Sequence, residues 1–171
     1  MSGTLYIVDG YNVLHALFRG ASKDEIFARR EWLADRLAGF AALRGARAVL
    51  VFDGSGPAPT SSVPVKGGPV EVAFAGGRFT ADTLIARRIA GEAPDVRVVV
   101  VSADQEVQRT ASRAGVSRMT PRELAAELTD DDRGGQALDS ARDSTRMQSR
   151  LEDKVDLETL RKLRELRDKP R

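Results

Sequence analysis

Short apolar runs recur along the first three quarters of this chain, and each hands over to a segment with helical periodicity. The runs at residues 5–8, 48–52 and 96–101 consist mainly of Leu, Ile, Val, Ala and Phe. A strand that is apolar at successive positions needs cover on both faces, as a parallel sheet between two helical layers provides. Residues 70–74 alternate and read as a further strand, and 116–119 as a short last one.

The intervening segments carry helix signals. Ser22 to Glu25 has the spacing of a capping box, and Ile26, Leu33, Leu37 and Phe40 follow near helical period. A single helix over residues 24–43, stopped by Gly45, is the expectation. Thr80 caps a helix over 81–90, and Gly115 closes another over 104–114. Thr120-Pro121-Arg122-Glu123 opens a last one, to residue 128. Residues 55–69 contain four prolines, Pro57, Pro59, Pro64 and Pro69, and read as a loop. The expected fold is α/β: a mainly parallel central sheet in a three-layer sandwich, with a C-terminal helical extension.

The αβ pattern stops at Leu128, so residues 1–128 are the expected domain. Residues 129–149 hold almost no large apolar side chain and read as a flexible linker. Residues 150–171 read as a helix, with Leu151, Val155, Leu160, Leu163 and Leu166 spaced along one face. An isolated helix of this length is marginal in water, so its stripe needs a partner. The segment from 129 balances 11 basic against 11 acidic residues, which suits protein contact better than RNA, and a homodimer through the helix is the preferred pairing.

The whole chain carries a net charge of +2 from 27 basic and 25 acidic residues, too even to announce nucleic-acid binding by itself. Residues 1–128 hold 16 basic and 14 acidic side chains. If four of those acids converge on a pocket, an excess of six positive charges is left on the remaining surface. With no cysteine, disulfides and thiolate metal sites are excluded. The first residues lack the basic region of a signal peptide, and no apolar stretch approaches the ~20 residues of a membrane span. A soluble cytoplasmic protein with no membrane partner is the expectation.

Three aspartates share one address. Asp9, Asp53 and Asp104 each lie at, or just past, the end of an expected parallel strand, and Asp82 opens the helix that follows another. Open α/β sheets form their sites along that edge. Carboxylates gathered there repel one another unless a divalent cation neutralises them, and an all-oxygen set favours Mg²⁺ or Mn²⁺. For any single aspartate the ordinary alternative carries more weight: Asp-Gly after a strand is turn chemistry, and acids at helix starts answer the helix dipole.

The wording of the motifs goes further. Tyr6-Ile-Val-Asp9-Gly-Tyr-Asn12-Val-Leu resembles the opening of the YacP-like NYN domains, a bacterial branch of the PIN-like nucleases. Val51-Phe-Asp53-Gly, Val70-Glu-Val-Ala-Phe, Thr80-Ala-Asp82 and Val101-Ser-Ala-Asp104-Gln-Glu-Val follow in that family's order, over about residues 4–128. The resemblance implies a PIN-like fold and a Mg²⁺- or Mn²⁺-dependent endoribonuclease acting on single-stranded RNA. Asp9, Asp82 and Asp104 would be its metal-binding carboxylates, with Asp53 and Asn12 in the same pocket. It also implies that some members associate with translating ribosomes. Two departures stand out: Thr83 replaces an acid often found after the Thr-Ala-Asp aspartate, and Ser102-Ala-Asp104 replaces Thr-Ser-Asp.

Further residues are weighed individually. Asn12 is divided evenly between the pocket and capping of the next helix. Tyr11 is a base-stacking candidate, and Lys66 and Arg78 are the preferred phosphate contacts; Arg87, Arg88, Arg109 and Arg113 are weaker ones. Ser102 and Thr80 have the chemistry to orient a bound water, although capping suits both. His15 and Trp32 read as structural. Two alternatives to catalysis on RNA stay open: an RNA- or ribosome-binding module with weak or no cleavage, which Thr83 favours, and a structure-specific DNA nuclease. A haloacid-dehalogenase phosphatase is disfavoured, because Asp9 lacks a second acid two residues on.

Overall fold

A computed structural model describes residues 3–54, 61–65, 68–113 and 116–130. The chain divides into two units, Met1–Thr129 and Asp130–Arg171. The linker and helix expected over 129–171 lie outside the described residues, save for its first two positions.

The elements of the first unit run β1 (Thr4–Asp9), α1 (Gly10–Leu17), α2 (Lys23–Ala28), α3 (Arg30–Leu43), β2 (Arg47–Asp53), β3 (Ser61–Pro64), β4 (Val70–Ala75), α4 (Ala81–Gly91), β5 (Arg97–Val101), α5 (Gln105–Arg113) and β6 (Ser117–Met119). Residues 121–130 are helical and are called α6. The strands form one sheet in the order β3-β4-β2-β1-β5-β6. All pairings are parallel except β3 with β4.

The two cores follow from the pleat. Tyr6 and Val8 of β1 join Leu50 and Phe52 of β2 on the face covered by α1, α3 and α6. Leu5 and Ile7 join Val49, Val51, Val98 and Val100 on the face covered by α4 and α5. Burial on both faces explains the continuous apolar runs in β1, β2 and β5. The result is the three-layer α/β sandwich expected from the sequence. No helix among the described residues is long and apolar enough to cross a membrane.

Three local expectations are corrected. Gly10 is no turn: it opens helix α1, with Asp9 as the N-cap accepting from the Asn12 N–H. The helix expected over 24–43 is two, broken at Arg29, whose ψ of 6° leaves the helical range. Part of the expected 55–69 loop is strand β3, an antiparallel edge strand exposed along its length and ending at Pro64. An edge position tolerates both the polarity and the proline.

Candidate active site

The strand order sets the place of the site. The chain builds outward from β1 through β2 to β4, then crosses to β5 on the other side of β1. The switch point therefore lies between β1 and β5, where open α/β sheets leave a crevice beyond the strand ends. Asp9 ends β1, Asp53 ends the neighbouring β2, and Asp104 follows the end of β5 by three residues. Asp82 stands in the first turn of α4, which descends from the same edge.

Asp9 and Asp82 each feel neighbouring carboxylates across this crevice. Burial pushes the Asp9 carboxyl above the ordinary aspartate value; hydrogen bonds from Asn12 oppose this, and the charges of Asp82 and Asp53 add to it. Asp82 is also raised, first by burial and then by Asp104, Asp53 and Glu106. None of the four forms an ion pair with a described basic side chain. Glu106 was not among the sequence candidates. Its position two residues past Asp104, in the first turn of α5, was the available signal.

Helix N-termini offset part of the repulsion. Asp9 accepts from both the backbone N–H and the side-chain amide of Asn12, at the start of α1. Asp53 Oδ1 accepts from the Ala81 N–H at 2.7 Å, the first residue of α4. Asp104 Oδ1 accepts from the N–H groups of Glu106 at 2.7 Å and Val107 at 3.3 Å, opening α5. Three helices thus point their positive ends into one crevice. The helix-start role weighed for Asp104 is what the structure shows, and Asp9, weighed as part of a turn, caps a helix as well; both stand at the crevice while doing so.

The donor set, carboxylate oxygens gathered at one edge of the sheet, suits Mg²⁺ or Mn²⁺. Among the described residues no three such groups stand close enough to hold a cation as they are. Asp9, Asp53 and Asp104 are each turned to backbone donors at a helix start.

The remaining candidates divide. Asn12 performs both roles assigned to it, capping α1 and holding Asp9 through its amide. Arg78 is exposed in the bend leading to α4, at the same edge. Lys66 lies outside the described residues. Tyr11 is half-buried, its ring packed edge-on against Phe52 at 5.0 Å, so it serves the core before it serves a base. Ser102 is a correction. At 1 % exposure it cannot meet substrate directly; its hydroxyl accepts from the Asp104 N–H at 3.0 Å and so positions that acid. The Gln108 amide, also missed in the sequence, donates to the Ser102 carbonyl at 2.8 Å. Arg88 pairs with Glu71, and Arg87 stacks on Phe79, its guanidinium 4.0 Å from the ring centre. Thr83 lies in the Thr80 cap, its hydroxyl 3.1 Å from that of Thr80.

The model of the YacP-like NYN domain matches residues 6–168. The chain belongs to this family. Its span extends past residue 128, where the motifs stop, so the tail belongs to the family's length as well. A solved structure of Rae1 (YacP) from Bacillus subtilis is 23% identical, with a TM-score of 0.65, covering 95% of this chain and 94% of that one. A point mutant of that protein is 25% identical over 78% of each chain, with a TM-score of 0.63. No curated protein matches. Membership makes this a nuclease-type, RNA-related protein.

Proposed function

We propose that this chain is a divalent-metal-dependent endoribonuclease that cleaves single-stranded RNA by attack of water, with no covalent enzyme intermediate. The observation that carries the reading is the set of acids at the switch point: buried Asp9 under the charges of Asp82 and Asp53, Asp82 in turn under those of Asp104 and Asp53, and no described basic side chain neutralising them. Asp9, Asp82 and Asp104 would hold Mg²⁺ or Mn²⁺, and Asp53 lines the pocket while anchoring α4. A bound divalent ion supplies Lewis-acid stabilisation of the negative charge that develops on the phosphodiester. Asn12 orients Asp9, and Ser102 orients Asp104. Arg78 is suited to hold a neighbouring phosphate, in the division of labour between basic contacts and acidic pocket that phosphodiester chemistry uses. The products would carry a 5′-phosphate and a 3′-hydroxyl. Ribosome-associated mRNA is the proposed substrate in a cytoplasmic setting, as the family resemblance implies.

A second reading, an RNA-binding module without cleavage, is favoured by two observations: Thr83 is engaged in a cap, and no three carboxylates stand within reach of one ion among the described residues. A titration with Mn²⁺ and an end-labelled single-stranded RNA separates the two. Internal cleavage that grows with Mn²⁺ and stops in EDTA is expected, with matched DNA cut far more slowly. RNA bound but uncut at every metal concentration would leave the binding module, and undiminished cleavage in EDTA would remove the metal.

Self-association through residues 150–171 is proposed on the apolar stripe alone. Light scattering of the full-length protein at tens of micromolar should give twice the chain mass of 18.6 kDa. A strict monomer refutes it.

A further inference from the structure

The loop before the helix that carries Asp82 holds an aromatic ring in the open. Residues 76–80 leave the end of β4 and enter α4. Both ends of this loop are pinned to the end of β2: the Gly54 N–H donates to the Ala75 carbonyl at 2.6 Å, and the Ala81 N–H donates to Asp53 Oδ1. Between the pins the chain makes a tight turn. Gly77 takes a φ of 67°, and the Phe79 N–H closes the turn on the Gly76 carbonyl at 3.2 Å. Backbone bonds rather than burial thus fix Phe79 three residues before Asp82, and 36% of it stays exposed.

The charge around the ring is one-sided. The Arg87 guanidinium lies 4.0 Å from the centre of the Phe79 ring. α4 buries Ala81, Ile85 and Ile89, so Thr83 and Arg87, both exposed, lie on its solvent face. Phe79, Thr83 and Arg87 are spaced by four and follow one row. Thr83 is neutral, so no acid meets Arg87 at that spacing, and none among the described residues pairs with Arg87 or with the exposed Arg78. From Val72 to Gly91 the only acid is Asp82, against Arg78, Arg87 and Arg88, of which Arg88 is paired with Glu71.

A ring resting on a guanidinium, beside a second cation, suits a nucleobase on its phosphate chain. A base stacks on such a ring with little regard to its identity, and the cation answers the phosphate next to it. Among the described residues no other large apolar side chain is exposed in this loop or on α4, so an apolar protein segment finds no patch here.

We propose that the Phe79 ring is a stacking platform for a base of the RNA strand flanking the phosphodiester at the aspartates, with Arg87 backing the ring and Arg78 holding the adjoining phosphate. The proposal rests on the RNA-cleavage reading for the place of that strand, and on the ring and its two cations for the binding itself.

The test uses the full-length protein and a short fluorescein-labelled oligoadenylate, first in EDTA, so that binding is read by anisotropy without cleavage. Phe79→Ala should weaken binding about tenfold, the order that loss of one base–aromatic stack produces, with its salt dependence unchanged. Arg78→Ala should reduce the slope of log K against log salt by about 0.7, the loss of one phosphate contact on a single strand. Two more variants separate stacking from structure. An apolar residue just before a helix cap can pack on the fourth helical residue, here Leu84, and leucine serves that as phenylalanine does. Phe79→Leu should therefore melt with wild type yet bind as weakly as Phe79→Ala, and Phe79→Trp should bind at least as tightly as wild type. Phe79→Ala or Phe79→Leu binding as wild type does overturns the platform, and so does a probe that wild type leaves unbound. A fall of more than about 5 °C in the melting temperature of Phe79→Leu would make the ring structural and overturn it as well. Adding Mn²⁺ then tells the two readings apart. RNA held through Phe79 but left uncut would remove the cleavage reading and keep the platform. Cleavage by Phe79→Ala at the wild-type kcat/KM would keep the cleavage reading and remove the platform.

Discussion

Asp9→Asn and Asp104→Asn should each slow RNA cleavage about a thousandfold, the rate equivalent of ~4 kcal/mol of transition-state stabilisation, with the fold retained. Retention follows from the geometry. Both side chains cap helices through one oxygen, and asparagine keeps an oxygen that can accept the same N–H groups; at Asp9 the second oxygen, which accepts from the Asn12 amide, becomes a donor that the Asn12 amide meets by turning its own oxygen to it. The lost negative charge is what cation binding needs, so the activity falls while the cap survives. Stability should move the other way for Asp9. Its carboxyl is raised above the ordinary value near 3.8, first by burial and then by neighbouring acids, and Asp82 is raised similarly. The folded state therefore keeps these protons to higher pH than the unfolded chain does. In metal-free protein that contribution to stability is fully present below about pH 3.8 and is lost as pH rises through the higher folded-state values. Asp9→Asn carries no charge to lose. Its metal-free melting temperature at pH 7 should exceed wild type by about 2–4 °C, the shift that ~1 kcal/mol produces in a chain of this size, and the two should converge in acid. Mg²⁺ should raise the melting temperature of wild type and not that of Asp9→Asn. Full cleavage by both variants would end the proposed mechanism, and an unchanged pH profile of stability would show that Asp9 is not held in a repulsive cluster.

The parts of the fold that were legible in the sequence are those where burial leaves no choice of residue. β1, β2 and β5 are apolar on both faces because helices cover both, and no local signal competes with that pattern. Capping boxes at Ser22 and Thr120 mark helix starts because their paired hydrogen bonds are local in sequence. Where a local rule and a tertiary demand share the same letters, the reading failed. Asp9-Gly10 spells a turn by local rules, yet Gly10 begins α1 under the Asp9 cap, and it is glycine because the Phe52 ring, 42 residues away in sequence, takes up the room of its Cβ. β3 is exposed on both faces and ends in proline, so nothing in its composition distinguishes it from a loop until β4 pairs with it. The same division runs through the site. The addresses of Asp9, Asp53 and Asp104 could be read from strand ends and that of Asp82 from a helix start, both one-dimensional properties. That Ser102 is buried beneath Asp104, that Tyr11 packs on Phe52, and that Glu106 bears on Asp82 depend on where separate elements meet.

Gly10→Ala and Gly54→Ala should each destabilise the domain by about 3 kcal/mol, at the upper end of ordinary overpacking, and lower its melting temperature by about 10 °C. A Cβ at Gly10 would stand 2.3 Å from one carbon of the Phe52 ring and 2.7 Å from two others. That ring is fully buried between Tyr11 and Phe74, with centroids at 5.0 and 5.8 Å, so displacing it breaks both ring contacts. At Gly54 the obstacle is backbone: the Cβ would stand 2.1 Å from the Ala75 carbonyl oxygen, which accepts the Gly54 N–H at 2.6 Å. Relief there requires β2 and β4 to part at the active edge. The internal control is Gly39→Ala. Gly39 lies in α3 with nothing within 4 Å of the added methyl, and alanine there should raise stability by roughly 0.5–1 kcal/mol, the ordinary helix preference over glycine. Because Gly10 and Gly54 directly follow Asp9 and Asp53, strain at either displaces a carboxylate, and cleavage should fall even at temperatures where the variants remain folded. Thermal unfolding of the three variants, read alongside cleavage at 20 °C, tests the account. Gly10→Ala or Gly54→Ala melting within 2 °C of wild type would mean that the Phe52 ring or the β2–β4 pairing yields to the added methyl, and the rigid placement of Asp9 and Asp53 that the proposed chemistry depends on would fail with it.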